Sequence, residues 1–203
     1  MMIKWVRCHT VDAAAFDRGQ RAWSGLSGLP GFLGQCGGWS RREPGVAHVF
    51  AWWRSERHHE EFMAGAHDDL AAGQAGTYDT IEVRRWERHL DIGAGLPAGF
   101  PAGAVARLAH CRVRAGRQDH FVRAQADVWN PGMSAAPGLR GGVFARRGRT
   151  EFLVLSLWTS AADHDHYRTS RFGDLSTRSR VTDDLDGITG DLVDLDPGWT
   201  VTA

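Results

Sequence analysis

The chain has three cysteines, one lysine and no long apolar run. Each shortage closes off a class of protein. Three cysteines without a C-x-x-C pair give neither a disulfide framework nor a structural zinc site. No stretch approaches the roughly 18 apolar residues of a membrane span. The N-terminal MMIKWVRCHT lacks the apolar core and cleavage signal of a secretory leader, so a cytoplasmic location with no membrane partner is expected. No charge of one sign dominates, since 24 basic residues balance 24 acidic ones. The densest basic run, FARRGR at 144–149, reads as a hairpin tip in solvent. Nucleic acid is not an expected partner, because phosphate binding needs a concentrated positive field. Lys4 aside, every basic residue is arginine, a mark of GC-rich coding that says little about function.

What the chain does have is an apolar fraction of 42% over 203 residues, with nine tryptophans. That suffices for one full core or two small ones. The sequence is also written twice. Trp53-x-Ser55, followed by His59, Phe62, Asp69 and Leu70, returns at identical spacing as Trp158-x-Ser160, His164, Tyr167, Asp174 and Leu175. Phe16-x-x-x-Gln20 returns as Phe121-x-x-x-Gln125, Pro30-Gly31 as Pro137-Gly138, and Cys8 as Cys111. The expected division is a first repeat over 1–89, a Gly/Pro/Ala linker over 90–104 and a second repeat over 105–203. The linker's lone GxG, Gly93 and Gly95, has no strand–turn–helix context for a dinucleotide.

Each repeat gives the same order of elements. IKWVRCHTV alternates as a half-buried strand. Asp12 suits an N-cap, and Phe16, Gly19, Gln20 and Trp23 follow helical spacing. FLGQCGGW and AHVFAWW form a hairpin through RREPG. A second helix follows Ser55, and TYDTIEVRRWERHL is a last strand. The order strand–helix–strand–strand–helix–strand is the split βαβ, ferredoxin-like plan. One such repeat leaves a sheet face to be covered. The expected fold class is α+β, with two tandem ferredoxin-like repeats forming an intramolecular pseudo-dimeric α+β barrel, either monomeric or paired again as a homodimer.

With these elements in place, W-x-S at the helix start and an aromatic nine residues on (Phe62, Tyr167) resemble the dimeric α+β barrel superfamily. That superfamily includes antibiotic-biosynthesis monooxygenases and haem-degrading monooxygenases. The first half also resembles a bacterial family of unknown function, through Lys4-Trp5-x-Arg7-Cys8, Gln20-x-x-Trp23, Gly31-Phe32-Leu33-Gly34-Gln35, Gly37-Gly38-Trp39 and Phe62-Met63 with His67-Asp68. The haem-degrading branch uses a strand-1 asparagine, a helix tryptophan and a histidine ten residues later. Here those places hold Arg7 and His110, Phe62 and Tyr167, and Ala72 and Thr177, so that triad is missing.

The candidate site residues follow from strand alternation and helix spacing. Trp5, Arg7 and His9 share one face of strand 1, and Lys4, Val6 and Cys8 share the other. His110 is the counterpart of Arg7. If the Trp5 face points inward, arginine can hold an enolate or carboxylate and histidine can take a proton. At strand ends the two would instead meet solvent. His59, Met63 and His67 lie four apart on one helix, but HExxH is missing, and no metal ligand set is assigned. His67, without a histidine counterpart, is a candidate acid/base. His58, Glu60 and Glu61 form a solvated face. Gln20 and Gln125 are buried amides that serve either a substrate or a helix-to-backbone tie. Trp5, Trp23, Phe62 and Tyr167 complete the substrate-binding set, with Tyr167 either orienting a ligand or capping the core. Cys8 and Cys111 read as buried small hydrophobes.

The expected partner is a small aromatic or hydrophobic molecule, and no cofactor is expected. The resemblance implies cofactor-independent oxygenation or tailoring of a flat phenolic substrate, with His110 or His67 as base and Arg7 as cation. Two alternatives stand beside it: a haem or metal enzyme of the same fold, using His67 or His59, and a non-catalytic barrel that binds a small ligand.

Overall fold

A computed structural model describes all 203 residues. The chain runs β1 (Met2–Thr10), α1 (Ala13–Arg21), β2 (Phe32–Ser40), β3 (Val46–Trp53), α2 (Glu56–Ala64), α3 (His67–Ala72) and β4 (Tyr78–Ile92). It continues with β5 (Val105–Val113), α4 (Gln118–Ala124), α5 (Asn130–Ser134), β6 (Leu139–Arg147), β7 (Glu151–Trp158), α6 (Ala161–Ser170), α7 (Phe172–Ser179), β8 (Leu185–Leu195) and the short β9 (Val201–Thr202). A π-helical turn over Gln125–Trp129 joins α4 to α5.

The chain forms two compact units. The first comprises Met1–Trp86, Ala98–Ala102 and Val193–Ala203, and the second Glu87–Pro97 and Gly103–Leu192. These units do not follow one cut in the sequence. The stretch expected to be linker still holds strand up to Ile92. The tail of β4 pairs with β6 (Glu87 opposite Arg146, Ile92 opposite Gly142) inside the second unit. The end of β8 pairs with β2 (Gly38 opposite Leu195) inside the first.

Within each unit the strand order is that of a ferredoxin-like sheet. It is β4–β1–β3–β2 in the first and β8–β5–β7–β6 in the second. Registers repeat as well, with Lys4 opposite Ala51 and Arg107 opposite Ser156. Both hairpins carry a bulge at the same place, between Phe32 and Gly34 and between Leu139 and Gly141. Gly34 there has φ +152°, and a Cβ would come 2.7 Å from the Trp52 ring, so only glycine fits.

The W-x-S motif has a physical basis in both units. The tryptophan closes a strand and is fully buried, at 1% exposure for Trp53 and 0% for Trp158. Two residues on, the serine turns the chain and caps the next helix. Ser55 accepts from the His58 N–H, and Ser160 from the Asp163 N–H. Asp12 caps α1 in the same way through the Ala15 N–H. One core cluster of the first unit gathers Met2, Leu26, Phe32, Trp53 and Phe62 between sheet and helices. Its equivalent in the second gathers Val105, Met133, Trp158, Tyr167 and Leu175. No helix is long and apolar enough to cross a membrane.

Candidate functional site

A cavity of about 530 Å³ opens in the first unit between the sheet and its helices. Strand alternation decides which side chains reach it. Lys4, Val6 and Cys8 of β1 line it, with Trp53 from β3, Gln20 from α1, His59 and Phe62 from α2, and His67 from α3. Trp23, Gln74 and Arg85 also contribute to the wall.

The opposite face of β1 is engaged elsewhere. Trp5, 4% exposed, stacks on His48, Phe50 and Trp86 and donates its indole N–H to His48 Nδ1 at 3.0 Å. Arg7 pairs with Glu43 and Glu82. His110 belongs to the second unit, with its Nε2 at 3.4 Å from Glu151. The structure therefore gathers His67, Gln20, Trp23 and Phe62 around one cavity and leaves Trp5, Arg7 and His110 outside its wall. Gln125 and Tyr167 also lie in the second unit. Gln125 donates Nε2 to Asn130 Oδ1 at 2.7 Å. Tyr167 packs 4.9 Å from Trp158 in a closed core, where burial raises its phenol well above the ordinary range.

The cavity is rich in donors and poor in acids. Asp and Glu are missing from its wall. Lys4 is 9% exposed, and its ammonium lies 5.9 Å from the Trp23 ring centre. Burial is the main force that lowers Lys4 to about 8; the Cys8 thiol opposes it and Arg85 adds to it. Arg85 itself reaches Glu56 at 3.2 Å. Burial, seconded by Lys4 and Arg85, brings His59 down to about 4, so its ring is neutral at pH 7. His67 holds Asp68 Oδ1 at Nδ1, 2.8 Å away, which leaves Nε2 as its available nitrogen.

Four buried nitrogen atoms of the wall residues have no hydrogen-bond partner in the protein: Gln20 Nε2, Trp53 Nε1, and Nδ1 and Nε2 of His59. Such a group costs about 1–3 kcal/mol if left unpaired. Gln74 satisfies the neighbouring groups, accepting from Trp23 Nε1 at 2.9 Å and donating to Gln20 Oε1 at 3.1 Å. Nowhere do three or more His, Cys, Asp or Glu side chains group in a manner suited to a metal ion.

Lys4, Arg85 and Gln74 are polar wall residues outside the candidate set read from the sequence. One signal for Lys4 was available: it is the single lysine among 24 basic residues and shares a strand face with Cys8. For Arg85 and Gln74 the sequence offers no signal, because only the fold brings them to the cavity.

Comparisons with known proteins agree with this architecture. Residues 2–86 match a domain of unknown function, DUF4937, and residues 104–171 match the antibiotic biosynthesis monooxygenase domain. A proposed monooxygenase from Lactobacillus acidophilus NCFM is similar over 99% of this chain and 95% of its own, with TM-score 0.78 and 13% identity. One from Fusobacterium nucleatum is similar over 96% and 91%, with TM-score 0.81 and 10% identity. An anthrone oxidase-like protein is similar over 100% and 93%, with TM-score 0.70 and 15% identity. The class is thus an α+β chain of tandem ferredoxin-like repeats with the monooxygenase-type fold. YdbC of Bacillus subtilis (strain 168), an uncharacterized protein, is 37% identical over 94 residues, covering 43% of this chain and 78% of YdbC. The chain belongs to the same family as YdbC, with a DUF4937 domain in its first half and an antibiotic biosynthesis monooxygenase domain in its second.

Proposed function

We propose that the protein is a cofactor-independent oxygenase of flat phenolic or enolisable aromatic molecules, and that the reaction takes place in the first-repeat cavity. The observation that supports this most is the meeting of His67 and Lys4 in a cavity walled by Trp23, Trp53 and Phe62. Aromatic walls suit a planar ligand. Asp68 on Nδ1 orients His67 and leaves Nε2 to take the proton. The ammonium of Lys4 stabilises the resulting enolate or phenolate oxygen in a site where screening by water is weak. The anion, with its charge spread onto carbon, adds dioxygen. The proton returns to the distal peroxide oxygen, and the hydroperoxide loses water to leave a carbonyl. A CH₂ group and O₂ thus become C=O and H₂O.

Oxygen uptake with anthrone at pH 7.5 tests the reading. Uptake should accompany anthraquinone formation and fall roughly 10²-fold or more in His67→Ala, with a comparable loss in Lys4→Met. Binding without uptake by anthrone and a panel of phenolic ketones would leave a ligand-binding protein instead. A haem titration tests the other reading: a Soret band saturating at one equivalent and lost in His67→Ala would replace the oxygenase by a haem protein.

A further inference from the structure

The two repeats place side-chain donors at three matching positions, and two of them, satisfied in the second repeat, have no partner in the first. In the second unit, Gln125 donates to Asn130 at 2.7 Å and Trp158 donates its indole N–H to Ser156 Oγ at 3.0 Å. Arg107 donates to the Asp191 carbonyl at 3.3 Å. The first unit has Gln20, Trp53 and Lys4 at these places. Five residues on from Gln20, where the second repeat has Asn130, stands Gly25. Two residues before Trp53, where the second repeat has Ser156, stands Ala51. Neither side chain can accept a hydrogen bond. Gln20 Nε2 and Trp53 Nε1 are buried without partners as a result. The Oε1 of Gln20 is already taken by Gln74, so what remains is a donor.

The second repeat, with its acceptors built in, packs Tyr167 on Trp158 in a closed core. The first repeat, without them, has a cavity walled by donors, a lysine and no carboxylate. An amide N–H, an indole N–H and an ammonium together ask for an accepting partner, the ammonium asks for negative charge, and the neutral His59 ring adds one donor and one acceptor nitrogen to the wall.

We propose that the first-repeat cavity selects planar aromatic molecules that carry an anionic oxygen, a carboxylate or a phenolate, with that oxygen on Lys4. The N–H groups of Gln20 and Trp53, buried in the same wall without partners, are the further donors available to that oxygen. The inference rests on the same ligand site as the oxygenase reading and adds the charge of the ligand. It does not depend on oxygen chemistry.

Calorimetric titration of the full chain at pH 7 with 2-naphthoate and its neutral isostere 2-naphthamide tests it. Naphthoate should bind at least about ten-fold tighter, the worth of one charge-assisted contact. The preference should vanish in Lys4→Met and persist in Lys4→Arg. Ala51→Ser, which supplies the indole N–H with the acceptor the second repeat has, should weaken naphthoate binding several-fold and naphthamide binding less, because the bond to a carboxylate is the stronger one. 2-Naphthol, neutral in solution at pH 7, serves as the phenol arm: its absorption on binding should become that of the phenolate, and binding as the neutral phenol as tightly as naphthoate would count against selection by charge. Equal affinity for acid and amide, a preference that survives Lys4→Met, or no binding of any of the three by folded protein would overturn the proposal. Tight naphthoate binding without oxygen uptake by any substrate would retain it and end the oxygenase reading alone.

Discussion

The ammonium of Lys4 lies 5.9 Å from the centre of the Trp23 ring, in a cavity whose wall has no carboxylate. A charge so placed works against the fold. The amine is held at about 8, against 10.5 in an open chain. Below pH 8 it is charged in both folded and unfolded states, and its burial is destabilising. As pH rises from 8 to 10.5 the folded form sheds its proton first and the penalty lifts. The difference corresponds to about 3 kcal/mol as an upper figure. Lys4→Met is therefore expected to raise stability by about 1–3 kcal/mol at pH 7, and by little at pH 10.5. Urea unfolding at the two pH values reads the contrast. A variant less stable than the native chain at pH 7 would show that the ammonium has a partner that offsets its burial.

His59 has the same linkage to pH in a more acid range. Its ring stays neutral down to about pH 4, chiefly because it is buried, whereas an open-chain histidine takes a proton near 6.5. The folded state thus binds fewer protons than the unfolded between these values. Stability from His59 is complete above pH 6.5 and drains away as pH falls through 4, by about 1–3 kcal/mol. His59→Phe removes the titration and is expected to flatten the acid limb of a plot of Tm against pH between 6.5 and 4. An unchanged limb in that variant would move the cause to other groups.

The repeat and the ferredoxin-like order could be read from the sequence because both rest on local signals. Trp53-x-Ser55 and Trp158-x-Ser160 each end a strand in the core and cap a helix, and no tertiary knowledge is needed to see that. The cavity was legible only in part. His67, Gln20, Trp23 and Phe62 carry helical spacing that points them to the sheet. Which face of β1 they meet is not a local property, since Trp5 and Lys4 alternate equally well. The aromatic Trp5 looks like the wall of a cavity but packs on the opposite face against Phe50, while the charged Lys4 looks like a solvent residue and is 9% exposed. The place of the chain's last residues in the first unit was equally hidden, because it depends on pairings such as Gly38 with Leu195, far apart in the chain.

Gln74 ties the cavity wall together from outside any regular element. Its Oε1 accepts the Trp23 indole N–H at 2.9 Å and its Nε2 donates to Gln20 Oε1 at 3.1 Å. Gln74→Leu keeps much of the volume and removes both bonds, together with a longer one from Nε2 to the Phe16 carbonyl at 3.5 Å, leaving the Trp23 donor and the Gln20 acceptor without partners. The expected cost is about 2–4 kcal/mol, read as a lower urea midpoint with an unchanged m-value. A cost below about 0.5 kcal/mol would mean that water replaces the amide at both contacts.

Asp184 is the corresponding anchor of the second unit, and it bears charge. Its side chain has no exposure, accepts from Arg117 Nε at 2.7 Å and meets His120 Nδ1 at 2.5 Å. Its backbone carbonyl accepts from the Arg114 N–H at 2.8 Å. One residue thus fastens the start of α4 to the segment leading into β8. Both partners are about 40% exposed, at 42% for Arg117 and 39% for His120, so the carboxylate carries most of the desolvation. Asp184→Asn preserves the shape, removes the charge and turns an N–H₂ toward groups that already donate. The loss should be about 3 kcal/mol or more, whereas Arg117→Ala leaves His120 in place and should cost less. Urea unfolding of the two variants gives the order. If Arg117→Ala proves the costlier, the guanidinium is the anchor through its packing, and the buried carboxylate is held by the fold rather than holding it.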